Sequence, residues 1–135
     1  MRETFRLPVR VYYEDTDAAG IVYYANYLKY MERARTEWLA SLGFELSALE
    51  RVESIVFVVH RVEIDYRLPA RLGEKLDATL ALAELSRARM IVAQDVVRGG
   101  DLLTHASVAL ACLDRARHRP TRIPAALHDR LETLL

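Results

Sequence analysis

The residues best suited to chemistry lie in one short stretch, where Asp17 and Gly20 precede an apolar segment with helical spacing that begins near Tyr24. The first backbone N–H groups of a helix have no partner inside the helix and carry a partial positive charge. Such groups can polarise a carbonyl and hold a developing oxyanion. An aspartate is ionised at neutral pH without special tuning, so it can attack that carbonyl or activate a water molecule that does.

This arrangement suits thioesters, because a thiolate leaves an acyl group far more readily than an alkoxide does. The same spacing also fits a second interpretation, since acidic residues in front of a helix often do no more than cap it. Capping is the commoner arrangement, and the spacing of Asp17 alone leaves the catalytic interpretation open.

Several other catalytic schemes find no support in the sequence. There is no Gly-x-Ser-x-Gly motif and no glycine-rich phosphate loop. The four histidines lack metal-ligand spacing with Cys112 or with each other, so we expect neither a metal nor a cofactor. Cys112 is the only cysteine and lies in an apolar strand. This position predicts a buried, inert thiol and fits a reducing compartment such as the cytoplasm.

Composition favours one domain over residues 1–135, because 52% of the residues are apolar and 28% are charged. The 19 basic and 19 acidic side chains cancel, which argues against a nucleic-acid partner. Charged residues follow Met1 at once, so no signal-peptide apolar region is expected. No run approaches the roughly 20 apolar residues of a membrane span.

The pattern along the chain predicts a strand, a loop, a long helix and then four more strands. Apolar and polar residues alternate over residues 5–13, which predicts a half-buried strand. The acidic residues, Thr16 and Gly20 within residues 14–22 predict an ordered loop. Apolar residues at helical spacing over 24–42 predict a helix, capped near Asn26 and ended by Gly43. The later strands are predicted over 54–67, 75–85, 87–98 and 102–113, with a hairpin at Gly99-Gly100 and a short helix after Pro124.

This order predicts an α+β fold in which an antiparallel β-sheet wraps around one long central α-helix. A chain of this length has little core to spare for a deep ligand pocket. A surface shared between subunits is therefore a natural place for one.

Residues 9–30, followed by Glu32-Arg33-Ala34-Arg35-Thr36-Glu37, strongly resemble the 4-hydroxybenzoyl-CoA thioesterase family. The most similar branch is that of the YbgC-like, Tol–Pal-associated acyl-CoA thioesterases. Residues 66–73, Tyr-Arg-Leu-Pro-Ala-Arg-Leu-Gly, resemble the turn between strands in that branch. The resemblance covers roughly residues 5–125, and its N-terminal motif is specific.

The resemblance implies a hotdog fold and an acyl-CoA thioesterase that works as a homodimer or homotetramer, with two active sites at the dimer interface. It implies that Asp17 is the nucleophile or general base and that the Tyr24 backbone N–H is the oxyanion donor. Gly20 matches the glycine that lets the loop turn close to the substrate. Many YbgC-like sequences have histidine where this chain has Tyr24. A backbone donor survives that change, but a side-chain imidazole role does not.

Substrate contacts are predicted at two places. Side chains around the helix start are candidates for lining the acyl pocket, namely Val22, Tyr23, Tyr27 and Met31. Arg87 and Arg89 share a strand face and are candidates for binding CoA phosphates; two solvated arginines fit the pattern equally well. An acyl carrier protein is an alternative carrier of the acyl group.

Two other functions remain open from the sequence. One is a hotdog dehydratase acting on a hydroxyacyl thioester, although that chemistry needs a histidine and an acid, and residues 14–30 contain no histidine. The other is a non-catalytic acyl-thioester binder or envelope-complex scaffold, which would bind acyl-CoA without releasing thiol.

Overall fold

The computed structural model describes residues 4–135 and contains one antiparallel sheet, one long helix and several short elements. The strands are β1 (Phe5–Arg10), β2 (Ile55–Tyr66), β3 (Lys75–Leu85), β4 (Arg89–Arg98), β5 (Asp101–Asp114) and β6 (Arg119–Pro120). The helices are α1 (Asn26–Ser41), α2 (Leu46–Ala48) and α3 (Ala125–Glu132). The predictions of a chain start without a signal-peptide region and of a domain beginning at Met1 concern residues 1–3, which lie outside the described residues.

The strands are ordered β1-β3-β4-β5-β2, and every neighbouring pair is antiparallel. One face of the sheet is apolar and buried, because alternate residues of each strand point toward α1. The two-residue loop Gly99-Gly100 joins β4 to β5, as predicted. Strand β2 lies at one end of the sheet, so one of its edges has no strand partner among residues 4–135.

The first strand ends at Arg10, whereas the alternation predicted a strand as far as residue 13. Val11 still exchanges backbone hydrogen bonds with Glu74 and Gly73. The chain then turns tightly over Tyr13–Asp15, and the Tyr12 N–H donates to the Asp15 carboxylate at 2.8 Å. This local bond ends the strand, and apolar alternation alone does not reveal it.

Helix α1 buries a broad stripe of large side chains against the sheet. Its buried residues are Asn26, Tyr27, Tyr30, Met31, Ala34, Trp38 and Leu39. The predicted cap at Asn26 is wrong, because Asn26 is the first helical residue and its side-chain amide donates to the Asp15 carbonyl at 2.8 Å. The helix ends as predicted at Gly43, whose φ of 94° suits glycine.

The helix is off-centre on the sheet, and this placement shapes the binding surfaces. It packs chiefly against β3, β1 and β4, and β2 is not among its main neighbours. Apart from Ile55 at its start, which is buried, the inward side chains of β2 are consequently only half-buried or exposed. They are Phe57, Val59, Val62 and Ile64. A trough therefore runs between α1 and β2.

The C-terminal residues pack onto the rest of the chain. Strand β6 pairs with the end of β5, and Arg115 forms an ion pair with Glu50 at 3.0 Å. Helix α3 begins directly after Pro124, as predicted, and its Leu127 and Leu131 are fully buried. Among residues 4–135, no helix combines the length and the apolar character needed to cross a membrane.

Candidate active site

The loop in front of α1 is held by a dense set of backbone hydrogen bonds. Thr16 pairs with Val22, and Ile21 pairs with Arg71 beyond β2. The Asp17 N–H donates to the Ile21 carbonyl at 2.9 Å, and the Gly20 N–H donates back to the Asp17 carbonyl at 3.0 Å. Gly20 has a φ of 77°, a backbone conformation that favours glycine.

Asp17 projects from this closed loop, and its side chain is exposed in the single chain. One carboxylate oxygen, Oδ1, accepts a hydrogen bond from the Ala19 N–H at 2.8 Å. Within the described residues, Asp17 forms no ion pair. The carboxylate is thus oriented by its own loop and retains oxygen lone pairs for a ligand.

Tyr24 lies in the turn between the loop and α1, and its backbone N–H donates no hydrogen bond to any residue in the range 4–135. The amides on either side of the turn are paired, because Tyr23 N–H donates to the Asp15 carbonyl at 2.9 Å and Asn26 N–H donates to the Tyr23 carbonyl at 2.8 Å. The Ala25 N–H, like that of Tyr24, has no partner among residues 4–135. The Tyr66 hydroxyl donates to the Tyr24 carbonyl at 2.9 Å. That bond fixes the peptide unit immediately after the free N–H group.

A cavity of about 270 Å³ opens beside this turn. It is lined by Ile21, Val22, Tyr24, Tyr27, Tyr66, Arg67, Leu68 and Pro69. Three of the predicted site residues, Val22, Tyr24 and Tyr27, are therefore brought together. Tyr66 was not predicted as a site residue, although its turn carried part of the family resemblance.

The other residues predicted around the helix start lie elsewhere. Asp17, Gly20 and Tyr23 are exposed beside the cavity but are not part of its lining in the single chain. Met31 is fully buried and is not part of the lining of this cavity. In one chain, the proposed carboxylate thus lies at the rim of the site.

Two buried tyrosines pack against each other at this site, and one of them, Tyr27, lines the cavity. The Tyr27 hydroxyl accepts the Ala70 N–H at 3.0 Å, and burial raises the pKa of Tyr27. Burial also raises the pKa of Tyr30, and the nearby Asp15 carboxylate raises it further. The Tyr30 hydroxyl nevertheless has no partner in hydrogen-bonding geometry among the described residues. Both side chains therefore remain neutral and rigid beneath the site.

The two arginines predicted to bind CoA phosphates are both exposed, and neither lines the cavity at the Tyr24 turn. Arg89 is the first residue of β4 and borders a separate cavity of about 540 Å³ with Ser86, His60 and Leu135. Arg87 lies in the preceding turn, where its carbonyl accepts the Ile123 N–H at 2.9 Å. Neither guanidinium forms an ion pair with another described residue.

Two further groups carry side chains of the types that bind metal ions or act as nucleophiles. Ligand atoms of His128, Asp129 and Glu132 lie within 4.8 Å of one another on α3, a grouping that the sequence spacing did not suggest. Both ring nitrogens of His128 already face partners, the Glu132 carboxylate and the Ser86 carbonyl, each at 3.1 Å. Cys112 is fully buried as predicted, and burial raises the pKa of its thiol to about 11.

Comparison with known proteins identifies the class to which this fold and site belong. Residues 11–131 match the thioesterase-like superfamily. A probable thioesterase from Bartonella henselae has the same fold, with a TM-score of 0.87 and 34% identity over 90% of this chain and 100% of that one. The chain belongs to the thioesterase-like superfamily, and the predicted α+β hotdog fold is confirmed.

Two curated relatives locate it more closely within that class. The acyl-CoA thioesterase YbgC of Haemophilus influenzae is 41% identical over 128 residues, which cover 92% of this chain and 94% of the relative. The acyl-CoA thioester hydrolase YbgC of Escherichia coli O157:H7 is 39% identical over 124 residues, which cover 91% of this chain and 92% of the relative. The predicted resemblance to the YbgC branch and the prediction of an enzyme are confirmed.

Proposed function

We propose that this acyl-CoA thioesterase hydrolyses its substrate with the Asp17 carboxylate, while the backbone N–H of Tyr24 holds the carbonyl oxygen. The observation that supports this most directly is that Tyr24, whose N–H has no partner among residues 4–135, lines the 270 Å³ cavity. A free donor beside a cavity can bind an oxygen whose negative charge grows during the reaction. Gly20, with its positive φ, allows the turn of the loop that carries Asp17.

Hydrolysis by these groups follows one of two balanced routes. In the first, Asp17 removes a proton from water, the resulting hydroxide attacks the acyl carbon, and the C–S bond breaks. The departing CoA thiolate then takes the proton. In the second, a carboxylate oxygen of Asp17 attacks directly, CoA leaves, and water hydrolyses the mixed anhydride. Both routes need the same oxyanion donor.

The substrate is bound at both of its ends in this proposal. Val22, Tyr23, Tyr27 and Met31 form or support the acyl side, and Arg87 and Arg89 bind the CoA phosphates. The two exposed guanidinium groups have no carboxylate partner among the described residues, so their charge is available to phosphate. An acyl carrier protein would present its own phosphate to the same arginines.

We further propose that the enzyme is a homodimer or homotetramer. Two observations support assembly: Asp17 is exposed at the rim of the cavity, and the edge of β2 beside that cavity is unpaired in residues 4–135. A second copy could pair with this edge and close the site. Small residues on the outer sheet face, including Ala81 and Ala83, would allow dimers to pack closely.

Residues 1–135 are proposed to be one hotdog domain that works in the cytoplasm. A buried, reduced Cys112 fits a reducing compartment.

The decisive experiment compares Asp17→Asn with Glu14→Gln in a thiol-release assay. Asp17→Asn removes the charge with little change in shape, so we expect kcat to fall by roughly 10²–10⁴-fold. Glu14 is exposed in the same loop segment and serves as the matched control, with unchanged turnover. Undiminished hydrolysis by Asp17→Asn, with the oligomer intact, would disprove the proposal.

The same assay separates the remaining functional alternatives. Short, long and aromatic acyl-CoAs are supplied to the wild-type enzyme, and free thiol is measured. Stoichiometric acyl-CoA binding without thiol release would indicate a binding protein or scaffold. Loss of water from a hydroxyacyl-CoA without thiol release would indicate a dehydratase.

A further inference from the structure

A second apolar cavity lies along the same helix and has no role in the proposed chemistry. Its volume is about 410 Å³, and it lies between the C-terminal half of α1, α2 and the first half of β2. The apolar lining includes Trp38, Leu39, Leu46, Phe57, Met90 and Leu110. The polar lining comes from three residues of α1, namely Glu32, Arg35 and Thr36.

Arg35 is the unusual member of this lining, because it places a half-buried guanidinium beside apolar side chains. Its Nη1 donates to the Gln94 side-chain oxygen at 2.9 Å. Gln94 is fully buried, and its amide nitrogen donates to the Met31 carbonyl at 2.9 Å. The amide of Gln94 therefore acts as a rigid support that fixes the direction of the guanidinium.

The charge of Arg35 is not balanced by a direct partner. No carboxylate lies within 4.0 Å of its guanidinium in the described part of the chain. Glu32 borders the same cavity but does not reach it, and burial lowers the pKa of Arg35. A guanidinium carries five N–H donors, and leaving such donors unpaired away from water is costly. Gln94 accepts a hydrogen bond from one of these groups, and no nitrogen of Arg35 is both buried and unpaired among the described residues. The remaining donors are therefore open to solvent or to an oxygen atom bound in the cavity that Arg35 lines.

This cavity and the cavity at the Tyr24 turn lie toward opposite ends of β2, because Phe57, Val58 and Val59 line the first and Tyr66 lines the second. Eleven positions separate Tyr24 from Arg35, so the two lie about 16 Å apart along the helix axis. The trough between them is apolar on the strand side, where Val62 and Ile64 are half-buried. An extended twelve-carbon acyl chain covers this length.

We propose that the cavity at Arg35 binds the far end of the acyl chain and that Arg35 selects chains bearing a hydrogen-bond-accepting oxygen there. This inference rests on the proposed function, since it places the thioester at Tyr24 and Asp17. A plain methyl end would leave the guanidinium donors unpaired, whereas a terminal hydroxyl or carboxylate would pair with them. Arg35 is therefore a specificity-determining residue.

The test compares kcat/KM for three CoA thioesters of equal length: dodecanoyl, 12-hydroxydodecanoyl and 11-carboxyundecanoyl. A hydrogen bond to a charged group contributes enough free energy for a preference of roughly tenfold or more. The wild-type enzyme should therefore favour at least one of the oxygenated chains by that factor. Whether the hydroxyl or the carboxylate is preferred reports how strongly Glu32 counters the charge of Arg35.

Arg35→Met should abolish the preference, and Arg35→Lys, which keeps the charge but loses the planar fork, should keep part of it. Arg33→Met is the matched control, because Arg33 lies on the same helix, over the Tyr30 ring, and does not line the cavity. Equal use of all three chains by the wild-type enzyme would overturn the inference. So would an Arg35→Met variant that slows all three equally.

A binding measurement distinguishes failure of this inference from failure of the proposed chemistry. Titration of the three thioesters into Asp17→Asn by calorimetry reports chain-end selectivity without turnover. Selective binding that Arg35→Met removes supports the inference even if Asp17 is not the catalytic carboxylate. Unselective binding overturns the inference about Arg35 even if Asp17 is the catalytic carboxylate.

Discussion

Tyr66 contributes to the site through one hydroxyl group, which donates to the Tyr24 carbonyl at 2.9 Å. Tyr66→Phe should leave the free Tyr24 N–H less well oriented and lower kcat several-fold, with a smaller effect on KM. Because the hydroxyl is exposed and contributes only about 1 kcal/mol, the unfolding free energy should change little. Steady-state kinetics and urea unfolding check this together. An equal loss of stability and activity would indicate a merely structural role.

Position 20 requires glycine because of its backbone conformation, and not because a larger side chain would meet neighbouring atoms. An added Cβ would meet no atom within 4 Å, but the φ of 77° is unfavourable for alanine. Gly20→Ala should cost about 1 kcal/mol of stability and lower kcat, because relieving the strain moves the Asp17 loop. Gly100→Ala is the control, since it has equal space without a positive φ. Thermal unfolding and thiol release measure both effects.

At the residue scale, residue types and the family resemblance predicted Asp17, Gly20, Val22, Tyr24 and Tyr27 as site residues, and the structure brings Val22, Tyr24 and Tyr27 to one cavity. Sequence reasoning missed Tyr66, because the pairing of a strand end with the start of a helix 42 residues away depends on the folded chain. It misassigned Asn26 for a similar reason. An asparagine near a helix start is usually a cap, and here its amide is drawn to the carbonyl of Asp15.

A buried hydrogen bond joins helix α1 to the chain after β2: the Ala70 N–H donates to the Tyr27 hydroxyl at 3.0 Å. Tyr27→Phe leaves that amide buried without a partner, so we expect a loss of roughly 1–3 kcal/mol in unfolding free energy. Tyr13→Phe should be neutral, because Tyr13 is exposed. Chemical denaturation of the two variants tests this. An unchanged Tyr27→Phe would show that water satisfies the amide.

At the element scale, all five long elements of the sheet and the long helix were predictable from periodicity, and β3 has the predicted bounds. The end of β1 was not predictable in this way, because the strand is ended by a local hydrogen bond from the Tyr12 N–H to the Asp15 carboxylate. The off-centre placement of α1 was also beyond the sequence. The position of α1 depends on which strands its wide apolar stripe packs against, and in the folded chain these are β3, β1 and β4.

The whole molecule should lose stability at alkaline pH. Burial raises the pKa of the Cys112 thiol from 9.0 to about 11, so the folded chain keeps a proton that the unfolded chain has lost. The protonated thiol therefore makes a contribution to the free energy of unfolding that is fully present below pH 9. This contribution, roughly 2–3 kcal/mol, is lost as the pH rises from 9 through 11. The raised pKa values of Tyr27 and Tyr30 extend the decline above pH 10.

Unfolding free energies of the wild type and Cys112→Ala between pH 7 and pH 11 test this decline. The variant should be less stable at pH 7, because it lacks a buried side chain. Its slope between pH 9 and pH 10 should nevertheless be flatter. Parallel slopes would mean that the thiol does not control the alkaline limit.

The off-centre helix has a consequence for how this enzyme can change over evolutionary time. Side chains that face the trough from β2, such as Val59 and Val62, are held less tightly than those beneath the helix. Replacing them costs little folding free energy, yet each replacement reshapes the surface along which an acyl chain would lie. New chain-length preferences could therefore arise by single substitutions that leave the fold and the catalytic loop intact.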